Sequence, residues 1–586
     1  MAAVRSHGRK VLRMKATDYI AERLSESGVR CVFGYQGGNI AHMIDSISRR
    51  KDMVFVSTYN EQGASFAACG YALEAESIGV AVASSGPGAI NLISGIANAY
   101  YDSIPCIFIT GNVSTPSMKE NDTIRQKAFQ ENDIVSMVSK VTKYAHLVKD
   151  ADELRYCLEK ALYLASEGRP GPVLLDVPYD VQKAERNFHE ISGFQAEFVD
   201  MSVSDKDIIK VISAMTQAKR PLMVVGGGAQ KERTRKQIKT LLGKWHIPVV
   251  STLRGLDVVD HEESSFIGFG GAYGNRAANF ALRYADVILV LGSRLDERFL
   301  YTRDKATFEQ KTVIHVDVDV YELKHILPHE YAINASVDDF LSQLHDRHLP
   351  ELDYDEWCCT LHNWKQEYPA VTEEWSFARA ARALTQDAAP DTVVTMDIGL
   401  NQMSIAQGVA LQKNMHCYTS AGHGAMGCSL PLAIGAAFAN REKPVSCFVG
   451  DGALHMNIQE LLMLAKNNLP VHVILNNNQC LGMIRDFQAK TFHSYFSATV
   501  EEWEGIDYKQ IARAYHLKYY KASNDEELEI VKQLLQKQEP CFIELVFPNT
   551  ADTYPRLGAD MFQQLPLLSD SEWKQLERKA LGLANT

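Results

Sequence analysis

The chain has 586 residues, enough for about three or four domains at roughly 150 residues each, with Lys+Arg 60 against Asp+Glu 72 and a formal charge of -12. An acidic balance with no long basic run excludes a surface built to neutralise nucleic-acid phosphates. No stretch offers about 18 consecutive apolar residues, so no membrane span is expected, and the scattered cysteines form no C-x-x-C pair, which suits reduced core thiols of a cytoplasmic protein.

Short apolar runs alternate with helix-length segments three times along the chain. In residues 14–190 the runs are CVFGY, MVFVST, GVAVASSG, CIFITG and PVLLDVP; in 205–345 they are PLMVVGGG, IPVVST, DVILVLGS and VIHVDVD; in 373–548 they are TVVTMD, PVSCFVGDG, VHVILNNN and CFIELVFP. Strict alternation predicts α/β architecture, with three doubly wound parallel-sheet domains followed by a tail over 549–586. The polar stretches NFHEISGFQAEFVDMSVSDKD and HLPELDYDEWCCTLHNWKQEYPA are expected to be linkers.

One stretch, GDGALHMNIQELLMLAKNNLPVHVILNNN (450–478), carries chemistry. PVSCFVG predicts a buried strand, the periodicity of Ile458, Leu461, Leu462 and Ala465 predicts a helix capped by Asn457 with Glu460 reaching back, and PVHVILNN predicts the next strand. Parallel strands end on one edge, so Asp451 and Asn476–Asn478 emerge together where open sheets bind ligands. A carboxylate, an amide oxygen and nearby carbonyls are hard ligands for Mg2+ or Ca2+, and a lone carboxylate leaves room for phosphate oxygens of a ligand. Taken alone, the same residues also suit an ordinary turn and ordinary caps.

The G-D-G followed after about two dozen residues by N-N resembles the thiamin diphosphate motif, and with the other units the likeness covers nearly the whole chain and points to the acetolactate synthase branch of that family. The resemblance implies that residues 14–190 bind the aminopyrimidine, 205–345 form a nucleotide-type domain and 373–548 hold the diphosphate. It implies a metal held by Asp451, Asn478 and the Cys480 carbonyl, with cofactor contacts at Gly399, Asn401 and Gln402 of GLNQMS, at Gly450, Gly452 and Ala453, and at Met426, which bends the cofactor. Glu61 in NEQGA matches the glutamate that meets a pyrimidine ring nitrogen, promoting the tautomer whose exocyclic nitrogen removes the thiazolium proton. Alone, Glu61 better suits a first-turn glutamate favoured by the helix dipole. SSGPGAIN places Pro87 and Asn91 beside the ring, and Phe129, Gln130 and Lys143 match residues near the substrate.

In the middle unit, Gly226, Gly227, Gly228, Thr252, Leu253, Gly271, Gly274, Arg294 and Asp317 are similar to a flavin site, so FAD is implied as a largely structural second cofactor, while relatives with a degenerate site carry ADP or nothing. Arg298 matches an arginine that holds the acceptor's carboxylate. The family's tryptophan at the acceptor pocket is Phe487 here, and its N-N-Q-H reads NNQC. The implied reaction is decarboxylation of pyruvate or another 2-keto acid and transfer of the two-carbon unit to a second carbonyl, giving 2-acetolactate with pyruvate as acceptor. Transfer to a keto sugar, simple decarboxylation, oxidation, or a non-catalytic binding role are the alternatives. A homodimer or homotetramer is implied, because the family's active site lies between subunits, and a regulatory subunit is a further implied partner.

Overall fold

The computed structural model describes residues 13–121, 123–196, 202–302, 306–323, 327, 330–412, 414–503, 505–535 and 537–582, and the chain forms two units that divide between residues 198 and 199.

In the first unit the strands are β1 (Met14–Lys15), β2 (Cys31–Gly34), β3 (Val54–Ser57), β4 (Gly79–Ala83), β5 (Cys106–Asn112), β6 (Tyr144–Leu147), β7 (Pro172–Pro178) and β8 (Glu185–Arg186). β1 and β8 pair antiparallel, and the other six form one parallel sheet in the order β3-β2-β4-β5-β7-β6. Val80, Val82, Ile107, Ile109, Val173 and Leu175 share one core with Ile20, Leu24, Leu154 and Leu158 of the covering helices.

The second unit holds two six-stranded parallel sheets. The first contains β9 (Pro221–Val225), β10 (Val249–Ser251), β11 (Phe266–Phe269), β12 (Val287–Leu291), β13 (Thr312–Asp317) and β14 (Glu330–Asn334), ordered β11-β10-β9-β12-β13-β14. The other contains β15 (Val393–Met396), β16 (His416–Thr419), β17 (Val445–Gly450), β18 (Val471–Asn477), β19 (Lys518–Ala522) and β20 (Cys541–Val546), ordered β16-β15-β17-β18-β20-β19. The first and third sheets in chain order thus share one winding, whereas the second has the order of a dinucleotide-binding fold.

Burial on both faces explains the unbroken apolar runs. Along β9, Met223 and Val225 enter one core while Leu222 and Val224 enter the opposite one, each side chain contributing about 1.5–3 kcal/mol by leaving water. The expected linker before residue 373 contains a helix, Asp355–Glu367. Trp357, Leu361 and Trp364, spaced by four and three residues, bury one stripe of it against Phe280. The C-terminal segment also returns to this core through Met561, Phe562 and Leu576, and Asn279 Nδ2 donates to the Met561 carbonyl at 2.9 Å. None of the eleven cysteines forms a disulfide, and among the described residues no helix is long and apolar enough to cross a membrane.

Candidate active site

The carboxyl edge of the third sheet brings Asp451 close to Asn476–Asn478. Register pairs Gly450 with Asn476, so Asp451 starts its short helix beside the end of β18. Its Oδ1 accepts from the Gly452 amide at 2.7 Å and Oδ2 from the Cys480 amide at 3.3 Å. Asp451 is 3% exposed, and burial pushes its carboxyl up to about 6 against the pull of those amides. No ion pair among the described residues involves it. A buried carboxylate without a basic partner is costly unless a cation or proton meets it, which fits a metal site. Asn478 is buried beside it, with Nδ2 donating to Cys480 Sγ at 3.2 Å.

Adjacent groups complete a cradle. Asn401 Nδ2 donates to the Asp397 carbonyl at 2.8 Å while its Oδ1 accepts from Asn476 Nδ2 at 2.7 Å. Gln402 Nε2 donates to Thr419 Oγ1 at 2.6 Å. The other amide oxygens, Asn476 Oδ1 and Gln402 Oε1, are buried without partners. Gly399 caps the helix Leu400–Gly408 with φ +88°, and nothing lies within 4 Å of where its Cβ would stand. An open, positive-φ helix start is suited to an anion. On the other side of Asp451, a Cβ on Gly452 would lie 3.5 Å from Met426 Cε and 3.6 Å from Trp503, so Met426 does overhang the G-D-G turn. Ala453 is buried in the same turn.

Asp397, which lies outside the motifs, positions that methionine. Fully buried at the end of β15, it accepts from the amides of Gly427 at 3.0 Å and Ser429 at 2.8 Å, and burial pushes its carboxyl up to about 6. An acidic residue just past a strand and two before a glycine, TMDIG, was the available signal. Asn457 departs from its expected capping role: its Nδ2 donates to the Gly427 carbonyl at 2.8 Å, and its side chain makes no cap bond. Both contacts tie down the Met426 loop.

In the first unit, Asn60 caps the helix Glu61–Glu74, which starts at the carboxyl edge after β3. Asn91 Nδ2 donates to Glu61 Oε2 at 3.0 Å, and a Cβ on Gly88 would come within 2.9 Å of Glu61 Oε1. Pro87 opens the intervening helix Pro87–Asn91. Gln130, at φ +63°, packs against Gly86 on the same edge. Phe129 is 84% exposed. Lys143 lies at the opposite end of the sheet: it precedes β6, at the amino edge, and its Nζ donates to the carbonyls of Glu167 at 2.6 Å and Arg169 at 2.8 Å. Burial pulls its ammonium down to about 8. Parallel strands separate this edge from Glu61, so the unit does not bring the two together.

At the middle sheet's switch point, between β9 and β12, Gly226 and Gly228 face Gly292. Cβ atoms on Gly226 and Gly228 would meet Gly292 backbone at 2.3 and 2.8 Å, and Gly227 would meet Arg254 Cβ at 3.1 Å. The close backbone approach these glycines permit is therefore between the two loops themselves. Arg254 Nη1 and Ser251 Oγ are buried without partners, beside Thr252, whose amide donates to the Val225 carbonyl at 2.9 Å, and Leu253 in the turn that follows. Unmet polar groups at a switch point fit a polar ligand there. Gly271, at φ +106°, is held by Asn279, while Gly274 packs tightly on Gly270. Arg294 pairs with Asp296 at 3.2 Å, and Asp317 ends β13, with Oδ1 accepting from the Asp319 amide at 2.9 Å. Arg298 lies over the Tyr273 ring at 5.6 Å and reaches Met403 of the third domain at 3.3 Å, while Phe487 is 53% exposed and meets Phe492 edge-on.

Comparison with known proteins bears on all three sheets. The N-terminal, central and C-terminal domain models of thiamine pyrophosphate enzymes match residues 14–137, 208–344 and 397–545. The chain belongs to the thiamine pyrophosphate enzymes. It is 32% identical to the acetolactate synthase large subunit of Lactococcus lactis, over 92% of this chain and 94% of that one. It is also 32% identical to the acetolactate synthase isozyme 2 large subunit of Escherichia coli, over 95% and 100%, and to acetolactate synthase 1, chloroplastic, of Zea mays, over 93% and 87%. It is a thiamin-diphosphate-dependent enzyme of the acetolactate synthase-like branch.

Proposed function

We propose that the protein decarboxylates pyruvate and joins the two-carbon unit to a second pyruvate, giving 2-acetolactate. The observation that carries this is the buried Asp451 turn beside Asn478 at one sheet edge, in a chain that aligns over 95% of its length with the acetolactate synthase isozyme 2 large subunit of Escherichia coli. Thiamin diphosphate, when bound, supplies the carbon nucleophile and accepts the electrons released with carbon dioxide. Asp451, Asn478 and the Cys480 carbonyl would hold Mg2+ against the diphosphate. Gly399, Asn401 and Gln402 line the same edge, and Met426 covers it. Glu61 would hold a proton at the pyrimidine ring, oriented by Asn91 at 3.0 Å.

Arg298 presents its guanidinium beside Met403, next to the helix that Gly399 starts, and would hold the acceptor's carboxylate as a fork. FAD would lie along the middle sheet's switch point, contacting Gly226–Gly228, Thr252, Leu253, Gly271, Gly274, Arg294 and Asp317, with Arg254 available for its phosphates. A homodimer or homotetramer, in which the pyrimidine and diphosphate halves meet across subunits, and a small regulatory subunit follow from the same reading.

The test is to incubate the purified protein with pyruvate, thiamin diphosphate, Mg2+ and FAD and to follow pyruvate and acetolactate together. Acetolactate in step with pyruvate loss supports the proposal. Pyruvate loss with acetaldehyde, peroxide or a keto-sugar adduct as the product would replace acetolactate synthesis with another reaction of the same cofactor.

A further inference from the structure

A buried polar relay in the first unit connects the interior of its sheet to the turn beside Glu61. Asp176, on β7, is 2% exposed. Its Oδ1 accepts from the Thr110 hydroxyl at 2.7 Å and its Oδ2 from Asn112 Nδ2 at 2.6 Å. Register brings them together, with Thr110 opposite Asp176 and Asn112 opposite Pro178. Asn112 is locked in one orientation, since its Oδ1 accepts from the Val113 amide at 2.8 Å. Its Nδ2 also donates to the Asn132 carbonyl at 3.1 Å.

Asn132 carries the connection onward. Its Oδ1 accepts from the Gly86 amide at 3.1 Å. Gly86, at φ +64°, is the cap of the helix Pro87–Asn91, and a Cβ on it would meet Gln130 Cβ at 3.1 Å. An ordinary account is that polar groups at buried strand ends must find partners. That account covers Asp176 and Thr110 but not Asn132, whose Nδ2 is buried with no partner. The side chain keeps an orphan donor there, and only its oxygen is used.

We propose that Asp176, Asn112 and Asn132 are positioning residues for the pyrimidine half of the site. They hold the Gly86 amide, and so set the turn that places Pro87 and presses Gly88 and Asn91 against Glu61. This rests on the reading that Glu61 meets the aminopyrimidine.

The test compares Asn132→Ala, which removes the acceptor for Gly86, with Asn132→Asp, which keeps an acceptor and deletes the orphan donor. Asp176→Ala breaks the relay one step further back. The holoenzymes are assayed for kcat and pyruvate KM, and hydrogen exchange is followed over residues 84–92. Asn132→Ala and Asp176→Ala are expected to lower kcat by about tenfold, a size that small displacements at a reacting centre readily reach, with KM little changed and exchange accelerated. Asn132→Asp should restore both readouts. Wild-type kcat and exchange in Asn132→Ala, or an Asp variant no better than the Ala variant, would overturn the proposal. Glu61→Gln run in parallel separates the failures. If it is inactive while Asn132→Ala is normal, this inference alone falls; if it turns over normally, the reading of Glu61 falls and takes the relay's role with it.

Discussion

Asp451→Asn is expected to make the metal- and cofactor-free protein more stable at neutral pH while destroying its affinity for thiamin diphosphate with Mg2+. Burial raises the carboxyl from its ordinary 3.8 to about 6, which corresponds to about 3 kcal/mol against the ionised form. Because the folded value is the higher one, the penalty is absent below pH 3.8, grows between 3.8 and about 6, and is complete above that. Asparagine removes the charge but sets an amide donor against a backbone donor. With its oxygen kept toward Gly452, the conflict falls on the longer contact to Cys480, at 3.3 Å, and costs about 1 kcal/mol. The net gain is about 2 kcal/mol above pH 7, worth several degrees of thermal midpoint in a domain of this size. Below about pH 4 the sign reverses, leaving only the conflict. Calorimetric scans of stripped protein at pH 4 and pH 8, repeated with thiamin diphosphate and Mg2+, measure this directly. With both ligands present, wild type should overtake the variant. A variant that is less stable at pH 8 without ligands, or that gains as much from them as wild type, would refute the reasoning.

Glu61→Gln should abolish turnover with the circular dichroism spectrum intact; near-normal activity would remove the proton role from Glu61. Lys143→Met strands the Glu167 and Arg169 carbonyls that the ammonium now satisfies, so a stability loss of about 1–3 kcal/mol with retained kcat is expected. A large kcat loss at full stability would return Lys143 to the chemistry. Phe487→Trp, at a half-exposed position, should shift stability by no more than about 0.5 kcal/mol yet change the preference between pyruvate and larger acceptors. An unchanged acceptor profile would take Phe487 out of the acceptor pocket.

The sheets were legible where burial is two-sided. Runs such as PLMVV and VILVL lie in sheet interiors and contact a core on each face, so their apolar signal is continuous. Within the six-stranded sheets, the strands that the pattern does not reveal are edge strands: β6, β11, β14, β16 and β19 each close one side. YAHL and KYYKA show why, since most of their side chains are half-buried or exposed and need no apolar run. The helix Asp355–Glu367 was hidden by its polar face, although Trp357, Leu361 and Trp364 keep helical spacing. At the candidate site, the convergence of Asp451 and Asn478 on one sheet edge was legible because a short motif encodes both strand ends. Asp397 and Asn132 were not, because their work is to hold backbone amides of other loops, and such partners are distant in sequence. Lys143 shows the converse: a motif match places a residue in sequence, but the strand direction decides which edge it reaches.

The most direct test of the central claim is reconstitution. The protein is stripped with a chelator and dialysed, and pyruvate turnover is measured with thiamin diphosphate, Mg2+, both, or neither. Turnover that vanishes on stripping, returns only with both, and fails to return in Asp451→Ala is the predicted result. Pyruvate turnover by stripped protein without thiamin diphosphate, or full recovery in Asp451→Ala, would contradict the account.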